Sequence, residues 1–182
     1  IGFRQMDARG NVVGEFGFLG LYTSRVYLEH PSTIPIVRRK VAHVAQRSDL
    51  DPGGFDGKVL AQVLATYPRD ELFQIEQDEL FDNAMAITHI HERRRTRMFT
   101  RRDRYGLFVT CLVYVPRDLY NTHVRQQVQD LLIAAFGAEH AEFEPFFSES
   151  ILVRLHFTLR VNPDRRVAAD IAHLEEGIVN IL

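Results

Sequence analysis

Between Ile151 and Val161 the residues Ile151, Val153, Leu155, Phe157, Leu159 and Val161 alternate with Leu152, Arg154, His156, Thr158 and Arg160. Successive side chains of an extended chain point to opposite sides, so this period of two predicts a strand with one core face and one mostly polar face. Before it, Ala141, Phe143, Pro145 and Phe147 alternate against Glu142 and Glu144, and a turn at Ser148-Glu149-Ser150 joins the two segments as a hairpin. Parity sets the expected pairing: Glu144 opposite Arg154, Glu142 opposite His156 and Phe143 opposite Leu155. That arrangement keeps the apolar sets together and pairs opposite charges on the other face.

The surrounding chain supplies the remaining layers. Leu107 to Val115 is almost wholly apolar and β-branched or aromatic, which predicts a central strand buried on both faces. Met98 to Arg102 is joined to it by Asp103-Arg104-Tyr105-Gly106, a turn with Asp first and Gly last. Val124, Val128, Leu131, Leu132 and Ala135 share one helical face, with Asn121 or Thr122 as N-cap and Gly137 as the stop. Val167, Ile171, Leu174, Ile178 and Ile181 predict a last helix. The order from Arg97 onward is strand, strand, helix, strand, strand, helix. Its economical packing is α+β: a ferredoxin-like antiparallel sheet with two helices on one face.

Upstream, Phe3 to Tyr22 predicts a hairpin turning at Asp7-Ala8-Arg9-Gly10, with its second strand running from Val12 to Leu21. Helices follow from Pro35 to about Ser48, from Val59 to before Pro68, and from Asp78 to about Arg95, separated by Asp51-Pro52-Gly53-Gly54 and by Pro68. A length of 182 residues, 46% of them hydrophobic and 25% charged, with a net charge of -2, is that of one large or two small folded domains rather than a disordered tail. The longest apolar run is far short of the roughly 20 residues a membrane helix needs. Cys111 is alone and forms no internal disulfide, so the cytoplasm is the expected compartment. The chain opens on Ile1 in strand-like sequence, as a piece of a longer polypeptide would.

Candidate chemistry is sparse. Gly14, Gly17 and Gly20 have the wrong spacing for a dinucleotide loop and lie in a strand, where they bend backbone instead. His89 and His91 would chelate from a strand, but on a helix they diverge by about 200°, and only Glu92 stands near to complete a ligand set. Cys111, mid-strand among apolar neighbours, reads as a small hydrophobe. The loudest polar signal is Arg93, Arg94, Arg95, Arg97, Arg101, Arg102 and Arg104, opposed within the run only by Asp103. Such a run suits phosphate, and a ferredoxin-like sheet is also an RNA-binding scaffold. The aromatic positions of that module's signature fail in Arg104 to Cys111, however, and the overall charge is near neutral. A solvated or protein-docking face, with Arg97, Arg101, Arg102 and Arg104 as its contacts, is the favoured reading. A nucleic-acid-binding domain is the alternative.

Three segments are informative together: Phe18-Leu19-Gly20-Leu21-Tyr22-Thr23-Ser24, Thr66-Tyr67-Pro68-Arg69-Asp70-Glu71-Leu72-Phe73-Gln74-Ile75, and Cys111-Leu112-Val113-Tyr114-Val115-Pro116-Arg117-Asp118-Leu119-Tyr120-Asn121-Thr122. They resemble the non-catalytic amino-terminal region of the large bacterial NAD-specific glutamate dehydrogenases, over a stretch from about Phe18 to Phe157. The resemblance implies ACT-like and PAS-like modules that regulate or help assemble an enzyme converting L-glutamate to 2-oxoglutarate with NAD. That family's catalytic lysine and dinucleotide fold belong to a later part of the polypeptide, so no catalytic, cofactor-binding or metal residue is carried onto this chain.

An ACT module has the order βαββαβ; here the fourth strand either lies beyond Leu182 or, the preferred pairing, is supplied from the other end by Met98 to Arg102. Residues 1–76 would then be the tail of a PAS-like module with its following helices, and 77–182 the ACT-like domain with its lead-in helix. The implied partners are other domains and subunits of the dehydrogenase. If an amino-acid effector binds, the resemblance places it at the loop after the central strand. There Arg117 can pair with a carboxylate and Asp118 with an ammonium group, beside Tyr120 and Asn121. The alternative is that Asp118 and Asn121 only shape the turn and cap the helix.

Overall fold

A computed structural model of the chain describes residues 2–17, 20–90, 95–164 and 169–182. They form two compact units, Ile1–His30 and Pro31–Leu182. In the first, β1 (Gly2–Met6) and β2 (Val12–Gly17) pair antiparallel from Gly2 opposite Gly17 to Met6 opposite Val12. The Asp7 carboxylate closes the turn by accepting the backbone N–H groups of Arg9 and Asn11, each at 2.8 Å. The second strand ends earlier than expected: Gly20 and Leu21 are not extended-sheet residues, and Phe18 and Leu19 lie outside the described residues. A short helix, α1 (Ser24–Leu28), follows.

The second unit opens on four helices, α2 (Val37–Arg47), α3 (Phe55–Thr66), α4 (Arg69–Gln74) and α5 (Gln77–Ile90). The sequence predicts three of them. α4 is only six residues long, too short to show a period. Its C-terminal end is held by Lys40 of α2, whose Nζ donates to the carbonyls of Leu72 (3.0 Å), Phe73 (3.1 Å) and Ile75 (2.5 Å). The end of the predicted third helix, with His91, Arg93 and Arg94, lies outside the described residues.

The sheet contains β3 (Arg97–Arg102), β4 (Phe108–Pro116), β5 (His140–Phe146) and β6 (Leu152–Arg160), ordered β3-β4-β6-β5 with every neighbour antiparallel. With α6 (Thr122–Phe136) and α7 (Ile171–Ile181) it is ferredoxin-like, the outer strand beside β4 coming from Arg97–Arg102 ahead of it in the chain. The Asn121 side chain caps α6 by accepting the Val124 N–H at 3.0 Å, and Gly137 ends the helix at φ 61°. Asp170 caps α7 on the His173 N–H; Val167, expected at its start, lies outside the described residues.

Val109, Val113, Leu155 and Phe157 of the sheet pack with Val128 and Leu132 of α6 and Leu174 and Ile178 of α7 in one buried core. The expected β5–β6 pairing is off by two residues. Phe146 stands opposite Arg154, Glu144 opposite His156 and Phe143 opposite Phe157. The loop is longer than the three residues predicted because Phe147 leaves the strand to meet the Tyr120 ring edge-on at 5.5 Å. Ser148 and Ser150 then accept the backbone N–H groups of Ser150 and Leu152. A slip of two preserves parity, so the faces are as expected and only the partners change.

Candidate functional site

The second face of the sheet is covered as well. Thr110 and Tyr114 of β4, Arg154 and His156 of β6 and Arg101 of β3 stand on that face, which α3, α4 and α5 close over. The sequence pairs two polar residues of β6 with a central strand apolar on both sides, and the structure resolves this by burying an ion cluster in the seam.

Glu71 of α4, 3% exposed, receives both arms of Arg101: Nε donates to Oε2 at 2.7 Å and Nη2 to Oε1 at 2.8 Å, with Gln74 Oε1 at 3.3 Å from Nη2. Burial opposes the charge of Arg101, but the hydrogen bonds and charge of Glu71, with Glu79 and Asp103 nearby, outweigh it and raise its pKa. His156 Nε2 lies 3.9 Å from Glu71 Oε1, beyond hydrogen-bond length, and has no hydrogen-bond partner among the described residues. Burial lowers its pKa, with Glu71 acting in the opposite sense, so the ring is neutral at pH 7. With Arg101 on both oxygens of Glu71, the pair ties β3 to α4.

Farther along the seam, Arg154 Nη1 donates to the Thr66 carbonyl at 2.5 Å, and the guanidinium lies 4.5 Å from the centre of the Phe146 ring. It also hydrogen-bonds Tyr114, while its buried Nε has no hydrogen-bond partner among the described residues. An open groove of ≈ 490 Å³ adjoins the Glu71 end, lined by Glu142, Glu144, His156 and Thr158 of the sheet and by Asp70 of α4.

The arginines predicted to form one docking face are divided among different tasks. Arg101 is turned inward onto Glu71, a correction to its expected exposure: the helical layer covers its strand face. Arg97 pairs with Glu175 of α7 at 3.1 Å, while the other oxygen of Glu175 accepts the Met98 N–H at 2.8 Å. Nη1 of Arg102 is buried and has no hydrogen-bond partner among the described residues. Arg104 lies in the β3–β4 turn, which Asp103 organises by accepting the N–H groups of Tyr105 (2.9 Å) and Phe108 (2.7 Å).

In the loop after β4, Arg117 and Asp118 are exposed and Tyr120 half-buried. The Arg117 N–H donates to Ile151 O at 2.9 Å and its Nη1 to Ser148 O at 3.1 Å. Tyr120 packs on the Phe147 ring, and Asn121 caps α6. The structure thus brings Arg117 and Tyr120 against the β5–β6 loop, while Asn121 serves the start of α6.

Gly14 and Gly17 lie in β2, and His89 in α5. Burial pushes the Cys111 thiol far above its usual range, which suits a core hydrophobe. Among the described residues no group of three or more His, Cys, Asp or Glu is placed to hold a metal ion, and no helix is long and apolar enough to cross a membrane. Glu71, Arg154 and His156 do not stand out as a set in the sequence. The available signal was Leu107 to Val115: a strand buried on both faces forces its neighbour's polar residues under cover too.

The four-stranded sheet, its two helices and its permuted outer strand define an ACT-type module. Residues 97–182 match the family model described as the glutamate dehydrogenase ACT2 domain, and residues 34–93 match that of glutamate dehydrogenase helical motif 1. Relatives named NAD-specific glutamate dehydrogenase share 48% identity over 179 residues in Pseudomonas aeruginosa and 44% over 181 in Halomonas elongata. These alignments take in 98% and 100% of this chain but 11% of each relative. The Mycobacterium tuberculosis relative of the same name is 37% identical over 161 residues, 88% of this chain and 10% of its own length. The chain belongs to the NAD-specific glutamate dehydrogenase family and spans about a tenth of the length of these relatives.

Proposed function

We propose that this segment is a regulatory and architectural part of an NAD-specific glutamate dehydrogenase and is itself non-catalytic. The parent enzyme oxidatively deaminates L-glutamate to 2-oxoglutarate in the cytoplasm, with NAD held by other parts of the polypeptide. The observation carrying this reading is the Arg101–Glu71 pair. It fastens the segment matching helical motif 1 to the sheet matching ACT2, so a displacement on either side strains a buried, two-point ionic contact. The partners are other domains and subunits of the parent, and the hairpin at residues 2–17 belongs to the tail of a PAS-like module. Arg97 with Glu175, and Arg101 with Glu71, favour protein contacts over nucleic acid for the arginine run.

The test has two arms. Calorimetry of the 182-residue chain with NAD should show no binding, and assays with glutamate no turnover. In the full-length dehydrogenase, Arg101→Met should alter assembly or the response to amino-acid effectors while leaving the intrinsic chemistry of the catalytic part in place. NAD binding by the chain, or an enzyme indifferent to Arg101→Met in assembly and regulation, contradicts the proposal.

A further inference from the structure

A second cavity lies at the other end of the seam, between α3, α5 and the sheet. Arg154, Gln62, Ser148 and Ser150 supply its polar wall, and Ile87 and Ile90 are among its apolar residues. Its volume is ≈ 50 Å³. One water needs roughly 10–15 Å³, so the space holds about four waters or an acid of two or three carbons.

Among the described residues the charge at this wall is met by no ion pair. Arg154 has hydrogen bonds to the Thr66 carbonyl and Tyr114 and a ring contact with Phe146, all of them uncharged groups. No described carboxylate lies within ion-pair distance of it; over longer range Glu144 favours its charge and the like-signed Arg69 opposes it. A guanidinium stays protonated even when burial opposes it. The seam therefore holds a largely covered cation whose Nε–H has no acceptor among the described residues, an arrangement that is costly without a close counter-ion.

The rest of the wall suits that counter-ion. The Oγ atoms of Ser148 and Ser150 each accept a backbone N–H, from Ser150 and Leu152, so each hydroxyl retains its proton to donate. The Gln62 amide adds a further donor. Fork-shaped guanidinium, hydroxyl donors and a short apolar pocket together match a planar carboxylate with a small aliphatic tail.

We propose that this cavity binds a small carboxylate on Arg154. The site is distinct from the loop at Arg117 but touches it through one segment: Arg117 donates to Ser148 and Ile151, which flank Ser150. Occupancy would tie the β5–β6 loop to the helical layer. The proposal does not depend on the chain having a regulatory role.

The experiment is a titration of the 182-residue chain with sodium acetate, and in parallel with glycine, at ionic strength held constant by chloride. The readouts are the arginine Nε–H and Leu152 backbone N–H signals in proton–nitrogen spectra. A saturable shift of the Arg154 Nε–H with acetate is expected, and Arg154→Gln should abolish the matching shift at Leu152. Arg154→Lys should weaken binding by about ten- to a hundredfold, since it keeps a charge and loses the fork. Ser150→Ala leaves the guanidinium in place and should weaken binding severalfold, which tests the site even where an Arg154 variant folds poorly. Glycine binding at least as well as acetate assigns the site to an amino acid; acetate binding alone assigns it to a plain acid. No saturable shift up to about 100 mM acetate, far above the millimolar range open to so small a ligand, overturns the proposal. So does the same shift with chloride alone, or one that survives Arg154→Gln.

Discussion

Arg101 and Glu71 meet in a two-point ion pair across 30 positions of chain, with both side chains nearly withdrawn from water. Removing one partner of such a pair strands the other, which typically costs about 3–5 kcal/mol, whereas replacing both by apolar groups of similar size is often near neutral. Arg101→Met and Glu71→Gln should therefore each destabilise the chain by about that amount in urea titrations. The double variant Arg101→Met with Glu71→Met should recover most of the loss. Single variants that unfold at the parental midpoint would show the contact to be incidental.

His156 makes the same seam sensitive to acid. In the unfolded chain the ring titrates near 6.5, whereas in the fold burial lowers its pKa against the opposing pull of Glu71. Arg154 lowers it further, and Glu144 and Asp70 raise it. Between the folded and unfolded values the unfolded state binds more protons, so this contribution is intact above about pH 6.5 and is lost as the pH falls. His156→Gln should flatten that part of the stability profile, and chemical denaturation at a series of pH values reads it directly. A profile unchanged by the substitution removes His156 from the account.

Residues whose environment is set by near neighbours were legible before the fold was known. Asn121 and Gly137 mark the ends of α6 because capping is a contact within one turn, and Asp7 and Asp103 mark their turns for the same reason. The two-residue alternation from Ile151 assigned strand faces correctly, since parity is a property of the strand alone. Register was not legible. It depended on Phe147 leaving the strand for the Tyr120 ring, a contact 27 positions away that no local rule contains. The seam failed for a related reason. Arg101 reads as one basic residue among seven until Glu71, on a helix too short to show a period, comes over it.

Gly57 offers a test of how α3 is seated. A Cβ at that position would lie 2.0 Å from the Asp51 carbonyl oxygen and 2.7 Å from its carbon, both backbone atoms of the turn that starts the helix. Neither can swing aside as a long side chain could. Gly57→Ala, which stabilises an ordinary helix interior, should here destabilise by about 1–3 kcal/mol. A rise in melting temperature for this variant would mean that the turn at Asp51 stands farther from α3.

Arg117 separates an effector loop from a purely structural one. Its N–H and Nη1 go to the Ile151 and Ser148 carbonyls, and its guanidinium stands 5.8 Å from the centre of the Phe147 ring, so the side chain already helps to hold the β5–β6 loop. The residue is exposed, and Arg117→Ala keeps the backbone hydrogen bond. The variant should therefore lose no more than about 1 kcal/mol of stability, the usual worth of one solvent-accessible hydrogen bond. Its effect on regulation is separable from that. A carboxylate bound at this loop would draw on the same guanidinium, so in the full-length dehydrogenase Arg117→Ala should weaken the response to an amino-acid effector by about tenfold or more in half-saturating concentration. Asn121→Asp provides the control, because it retains a capping oxygen for the Val124 N–H. An effector response unchanged by Arg117→Ala leaves Arg117, Asp118, Tyr120 and Asn121 as the turn and cap that join β4 to α6.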